Sequence, residues 1–152
     1  MTVETVHASA VEIDGKGILI LGQSGAGKSA LALDLIDQAG LRGVPAKLIG
    51  DDRIVLAARK GQTFASPAPQ LAGLVEVRGS GIHQISHVED AVLHLCVRLV
   101  QEDKGIRMPP EEAAEVLPGV FLPLLTLPRG QPAVRAVFAR LGLYAGVKNL
   151  VK

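Results

Sequence analysis

The run Gly22-Gln23-Ser24-Gly25-Ala26-Gly27-Lys28-Ser29 brings glycines, a lysine and a hydroxyl together in the order that cradles phosphate. In such a loop successive backbone N–H groups converge on phosphate oxygens, and the positive end of the helix that follows adds to their pull. Lys28 is placed to reach the β- and γ-phosphates of a nucleoside triphosphate, and the Ser29 hydroxyl to meet Mg2+. Side chains at Gly22, Gly25 or Gly27 would block that approach or forbid the backbone angles it needs. The pattern implies a triphosphate-binding site running unbroken from Gly22 to Ser29, with Gln23, Ser24 and Ala26 included.

Asp51 and Asp52 stand side by side at the end of an apolar run, where two carboxylates are costly unless their charge is used. Phosphate-loop enzymes commonly end a strand beside the loop strand in an acid that orients Mg2+. A kinase also needs a carboxylate to take the acceptor hydroxyl's proton. Successive strand residues point to opposite sides, so the pair can divide those tasks. The alternative is a strand-ending turn in which an aspartate bonds its own backbone. In Glu76-Val77-Arg78-Gly79-Ser80-Gly81-Ile82, Glu76 and Arg78 fall on one face of an expected strand, before glycines that allow a sharp turn or close approach to a ligand. Acid and base there could hold Mg2+ and neutralise transferred charge, or form a solvated ion pair. His7 stands alone near the N-terminus, as an ordinary surface residue would, and His83, His87 and His94 lack a metal-site spacing. Cys96, inside an apolar strand, reads as a buried thiol.

These residues need elements to position them. Gly17-Ile18-Leu19-Ile20-Leu21 is the uninterrupted apolar run of a strand buried on both faces. Ala30 to Ala39 carries helix formers, with Leu31, Leu35 and Ile36 at helical spacing and Gly40 as the expected stop. Val11-Glu12-Ile13, the turn Asp14-Gly15 and the loop strand predict a hairpin. Ala46 to Ile49 is the next strand, so strand, helix and strand form a parallel crossover that ends in Gly50-Asp51-Asp52. Ile54 to Ala58, Leu74 to Arg78, Ile82 to Ile85 and Val92 to Val100 read as further strands without helices between them, which predicts antiparallel neighbours. In the last of these, Leu93, Leu95, Val97 and Leu99 alternate with His94, Cys96 and Arg98, giving one buried and one partly solvated face. Gln101 to Gly119 is polar, contains Pro109-Pro110 and is expected to be mobile, with Glu111 to Leu117 as a short surface helix. Pro132 opens a C-terminal helix whose Val134, Val137, Phe138 and Leu141 make an apolar stripe before Gly142.

The bulk properties bound the rest. A chain of 152 residues, 48% hydrophobic and 20% charged, is one domain's worth of material around one core. A net charge of +1 exerts no general pull on nucleic acid or anionic membrane, and 3% aromatic content leaves few platforms for stacking bases. With Cys96 as the lone cysteine there is no internal disulfide and no cysteine-rich zinc site, which fits a reducing cytoplasm. The first residues lack a secretion signal's basic start and apolar core, and no apolar stretch approaches the roughly 20 residues that span a bilayer. A soluble, cytoplasmic protein is expected.

Taken in order, His7, the loop Gly22 to Ser29, Asp51-Asp52 and Glu76 to Ile82 resemble the HPr kinase/phosphorylase family. That family's catalytic core carries a histidine before the first strands, a phosphate loop with Gly-Lys-Ser, a strand ending in Asp-Asp and the signature Glu-(Ile/Val)-Arg-Gly-x-Gly-Ile. Ser66-Pro67-Ala68-Pro69, followed by Leu74, is similar too, so the resemblance covers His7 to Ile85. It implies an α/β fold of the P-loop, phosphoenolpyruvate-carboxykinase-like kind, a mixed and β-rich sheet flanked by the loop helix and a C-terminal helix. It also implies ATP and Mg2+, and a serine of the phosphocarrier protein HPr as phosphoryl acceptor. In the reverse reaction inorganic phosphate is the nucleophile and pyrophosphate the product. By the same resemblance Asp52 is general base and acid, with Asp51 supporting it or the metal. Lys28 stabilises the transferred group, Ser29 and Glu76 hold Mg2+, His7 helps bind phosphate, and Arg78 contacts phosphate or the protein substrate. The family's habit of forming hexamers implies a homo-oligomer.

The chain departs from the family in three places. It begins almost at the catalytic core, so it resembles a short form without the separate N-terminal domain and its regulation. The stretch Phe-Gly-x-Gly-Ala after the signature is replaced by Ser86-His87-Val88-Glu89-Asp90. The late Pro-Gly-Arg-Asn-like loop becomes Leu127-Pro128-Arg129-Gly130-Gln131, with Arg129 offered in place of the arginine. Other readings of the loop are a small-metabolite kinase, a non-catalytic ATP sensor and a GTP switch. The last would require an Asn-Lys-x-Asp run that the chain lacks.

Overall fold

The structure is a computed structural model and describes residues 2–101 and 112–143. In chain order its elements are β1 (Val3–His7), β2 (Ser9–Ile13), β3 (Lys16–Leu21), α1 (Lys28–Leu41), β4 (Ala46–Gly50), β5 (Arg53–Arg59), β6 (Gln62–Pro67), β7 (Leu74–Val77), β8 (Gly81–Gln84), β9 (Ala91–Val100), β10 (Glu112–Leu117), β11 (Val120–Pro128) and α2 (Gln131–Arg140). Most strands join one sheet in the order β1-β5-β6-β9-β3-β2-β4, with β11 added to β9 and β10 to β11. β7 and β8 form a hairpin of their own.

The apolar run before the phosphate loop is buried because β3 lies inside this sheet, parallel to β9 on one side and antiparallel to β2 on the other. The β2–β3 hairpin turns at Asp14 and Gly15, both at positive φ, as expected of a two-residue turn. β3 and β4 both run antiparallel to β2, so they are parallel to each other as the crossover requires. They are not neighbours, however, because β2 stands between them.

Helix α1 continues through Gly40, where a stop was expected. Gly40 is exposed, and a lone glycine in a helix costs only about 1 kcal/mol. The chain leaves the helix at Gly43, where Gly43 N–H bonds the Gly40 carbonyl at 3.2 Å and Val44 N–H bonds that of Ala39 at 2.8 Å. α1 buries Leu31, Ala32, Leu35 and Ala39, and α2 buries Ala133, Val134, Val137 and Phe138. Both stripes enter one apolar cluster with Val11, Ile18, Ile20, Leu48, Val97 and Leu125, so the two helices cover the same face of the sheet. On the opposite face Ala10, Leu19, Ile49, Ile54, Leu56 and Cys96 pack with Ala114, Leu117 and Leu124, so strands rather than helices cover it.

That second cluster explains several departures from the sequence pattern. β9 is parallel to β3 and β11 and antiparallel only to β6, through Ala91 and Val92. Its register against β3 shifts between Leu93 and Leu95, so Leu93 packs with the second cluster while Leu95, Val97 and Leu99 pack with the first. The face expected to be partly solvated is fully buried at Cys96, and His94 and Arg98 are exposed. The segment read as a surface helix from Glu111 to Leu117 is strand β10 from Glu112 onward, because pairing with β11 and burial of Ala114, Val116 and Leu117 outweigh the helix preference of Glu and Ala. Residues 102–111, with Pro109-Pro110 and most of the segment expected to be mobile, lie outside the described residues. β1, β6 and β11 have no sequence counterpart: β1 pairs with β5 along its whole length, β6 returns from β5 through a Lys60-Gly61 turn, and β11 runs parallel to β9 and takes in Leu127 and Pro128, which the sequence pattern assigns to a late loop. Among the described residues no helix is long and apolar enough to cross a membrane.

Gly17 faces β9 where the register shifts, and a Cβ there would lie 2.5 Å from the Val92 carbonyl oxygen, a backbone atom that cannot step aside. Gly17→Ala is expected to cost about 2–3 kcal/mol of stability, measured by urea denaturation; an unchanged midpoint would contradict this packing.

Candidate active site

The phosphate loop leaves β3 at Leu21 and enters α1 at Lys28. Its turn is closed by Ala26 N–H on the Gln23 carbonyl at 3.0 Å, and Gly27 caps the helix at φ 100°, a conformation that side chains disfavour. Lys28 Nζ donates to the carbonyls of Gly22, at 2.9 Å, and Gln23, at 3.0 Å, so its ammonium lies over the loop. Arg129, next to the start of α2, packs against the same loop: a Cβ at Gly27 would sit 3.5 Å from Arg129 Cδ. The structure thus brings the arginine of the altered late segment to the phosphate loop.

Asp51 follows the last residue of β4 and is only 5% exposed. Its carboxylate accepts from donors on three other segments. Ser9 Oγ of β2 donates to Oδ1 at 2.6 Å, Ser29 Oγ of α1 lies 2.8 and 2.9 Å from the two oxygens, and the Glu76 backbone N–H of β7 donates to Oδ2 at 3.1 Å. Hydrogen bonds to a charged acceptor are the strong ones, and several of them offset the cost of burying the carboxylate. Asp51 is therefore no turn aspartate bonding its own backbone; it joins the loop helix to β2, β4 and β7.

Asp52 points the other way. Its φ is 71°, and an Arg53 N–H bond to the Asp51 carbonyl at 2.8 Å closes a tight turn around it. Aspartate is among the few residues that tolerate this left-handed conformation. The Ala8 N–H bonds the Asp52 carbonyl at 3.2 Å, and Asp52 Oδ1 lies 3.4 Å from His7 Nδ1. The two side chains are 62% and 71% exposed, so this pair adds little to stability, and its interest is chemical. The turn separates the carboxylates, one buried against the loop helix and one open to solvent beside a histidine.

Other sequence candidates lie differently. Glu76 approaches Asp51 through its backbone, and its side chain is exposed. β7 ends at Val77, so Arg78 lies in the following turn and the strand face expected to hold both does not extend to it. His83 and His94 are exposed, bonded to Ser80 and the Val92 carbonyl, and His87 packs on Gly73. Cys96 is a core thiol whose pKa is pushed up to about 12 by burial, with Arg98 opposing the shift. Ser9 went unnoticed in the sequence; its one signal is a hydroxyl inside the small apolar run Ala8-Ser9-Ala10-Val11.

Among the described residues no group of three or more His, Cys, Asp and Glu side chains gathers as a metal cage. The Ser29 hydroxyl and the Asp51 carboxylate nevertheless offer the hard oxygens that suit Mg2+, which usually takes one or two protein carboxylates and completes its shell with water and substrate phosphate. The residues present fit such an ion and a triphosphate.

Comparison with known proteins identifies the family and the fold. Residues 1–128 match the family described as the HPr Serine kinase C-terminal domain. The chain is 43% identical over 84 residues to an HPr kinase/phosphorylase of Limosilactobacillus reuteri, covering 55% of this chain and 24% of that protein. It is 36% identical over 135 residues to that of Lacticaseibacillus casei, covering 82% of this chain and 40% of that one. The chain thus spans well under half the length of these relatives. The solved structure of the Hpr(Ser) kinase/phosphatase from Coxiella burnetii superimposes with a TM-score of 0.75 at 26% identity, over 91% of this chain and 94% of that one.

Asp51→Ala would strand two hydroxyls and an N–H in a buried site and is expected to destabilise the fold by about 2–4 kcal/mol, against about 0.5 kcal/mol for the exposed Asp52→Asn. Urea denaturation of both variants checks the contrast, and equal losses would contradict the hub role of Asp51.

Proposed function

The chain belongs to the HPr Serine kinase C-terminal domain family, and from that premise we propose that it is an ATP-dependent kinase acting on a serine of HPr, the small phosphocarrier protein of sugar uptake. The observation that carries this reading is the division of the Asp51-Asp52 pair. One carboxylate is bonded to the phosphate-loop serine, and the other stands exposed beside His7, where a protein acceptor can reach it. In this reading residues 1–152 act as one catalytic domain in the cytoplasm and assemble as a homo-oligomer, a hexamer by likeness to the family.

Backbone N–H groups of Gly22 to Ser29 bind the phosphates of ATP, and Lys28 exchanges its loop carbonyls for the β- and γ-oxygens. Ser29 and Asp51 would hold Mg2+, with Glu76 beside them; bound there, Mg2+ supplies positive charge to the phosphate oxygens. Asp52 accepts the proton of the serine hydroxyl as that oxygen bonds the γ-phosphorus. The bond from the γ-phosphorus to the bridging oxygen breaks, and ADP leaves. His7, within reach of Asp52, helps bind phosphate, and Arg129 over Gly27 adds positive charge at the loop. Arg78, exposed beyond β7, is assigned to contact phosphate or the protein substrate. In reverse, an oxygen of inorganic phosphate attacks the phosphoserine phosphorus, Asp52 returns its proton to the serine oxygen, and pyrophosphate departs.

Transfer of labelled phosphate from ATP to HPr should require Mg2+. Asp52→Asn is expected to slow it by about 10²–10⁴-fold, as loss of a general base does, and Lys28→Ala by about 10²–10³-fold. Near-normal transfer by Asp52→Asn would overturn the base assignment. ATP binding with no labelling of HPr would leave a sensor in place of a kinase.

A further inference from the structure

We propose that Ser9 is a positioning residue that fixes the Asp51 carboxylate for Mg2+, an inference that rests on the kinase reading above. Its origin is the insertion of β2 between the loop strand and the acid-bearing strand. Strands in a sheet are about 4.8 Å apart, so β3 and β4 lie roughly 10 Å apart, too far for direct pairing to set Asp51 against the loop. The inserted strand spans that gap. Ser9 pairs with Ile20 of β3, and the neighbouring pair Ala10–Gly50 brings the start of β2 to the end of β4, where Asp51 follows.

Ser9 is 1% exposed, and its hydroxyl makes the shortest contact to Asp51, 2.6 Å to Oδ1. The Ser29 hydroxyl is spread over both oxygens at 2.8 and 2.9 Å, so it does not by itself set how the carboxylate is turned. Ser9 on Oδ1 and the Glu76 N–H on Oδ2 do, from opposite ends of the group. Without the Ser9 bond the carboxylate turns toward its remaining donors, and the Ser29 oxygen is no longer held for metal. Partners that orient metal ligands in this way typically contribute about 10–100-fold to metal affinity.

The test is equilibrium binding of a fluorescent ATP analogue to the full chain, titrated with Mg2+ and repeated in EDTA. Ser9→Ala is expected to raise the Mg2+ concentration for half-maximal binding by about tenfold and to leave metal-free binding within about twofold. Ser9→Thr, which restores the hydroxyl, should return the Mg2+ requirement toward that of the wild type. A serine that merely satisfies the core would lower stability or weaken both modes together, and that result, or an unchanged Mg2+ requirement, overturns the proposal. If Ser9→Ala does not fold, Ser9→Cys, with its weak S–H donor, is read by the same criteria. Wild-type protein that binds no nucleotide in either condition overturns the kinase reading and this inference together, whereas Mg2+-dependent binding untouched by the substitutions overturns this inference alone.

Discussion

A buried carboxylate has to be surrounded by donors, and Asp51 meets that demand by drawing on three separate parts of the chain. The start of β2, the first turn of α1 and the backbone of β7 all end at its oxygens. None of the three is held there by sequence proximity, so the site forms only when the sheet, the loop helix and the β7–β8 hairpin are in place together. The charge that makes Asp51 expensive to bury is also what makes the phosphate loop part of the fold.

The position of β2 explains why this arrangement takes the form it does. With β3 and β4 separated by a strand, the loop and the acid cannot be aligned by direct pairing, and side chains on the inserted strand and the helix take over. The same stretch of chain brings His7 to the exposed side of the Asp51-Asp52 turn, because it passes from His7 at the end of β1, across the Ala8–Asp52 bond, into Ser9 at the start of β2. Residues two apart in sequence thus reach the two carboxylates on opposite sides, His7 outside and Ser9 inside.

Local pattern and tertiary override divide cleanly along the chain. The β2–β3 hairpin, the buried loop strand, the loop helix and α2 were legible because each rests on short-range chemistry: an Asp-Gly turn, an apolar run, a glycine-rich helix start, a proline followed by an apolar stripe. β6 and β10 were not, although each is one arm of a tight hairpin: the Ser66-Pro67 end blurs the strand signal of Thr63-Phe64, Ala113-Ala114-Glu115 favours helix, and burial of Ala65, Ala114, Val116 and Leu117 in the second cluster decides both. The alternation of β9 failed at one residue, because a register shift against Gly17 moves Leu93 to the other face, and such a shift is specified by the neighbour rather than by the strand.

For the site, residue types and their order were enough to mark the phosphate loop, the paired aspartates and the signature around Glu76, and to suggest a likeness to a family of serine kinases. Those features depend on covalent spacing and side-chain chemistry, which a sequence states outright. Which aspartate faces inward, that Ser9 joins it, that Glu76 contributes its backbone, and that Arg129 reaches Gly27 depend on distances between segments 25 to 102 residues apart or on the backbone turn at Asp52. Only the packed sheet decides these, because burial creates the energetic need for donors and topology determines which ones are near enough to supply it.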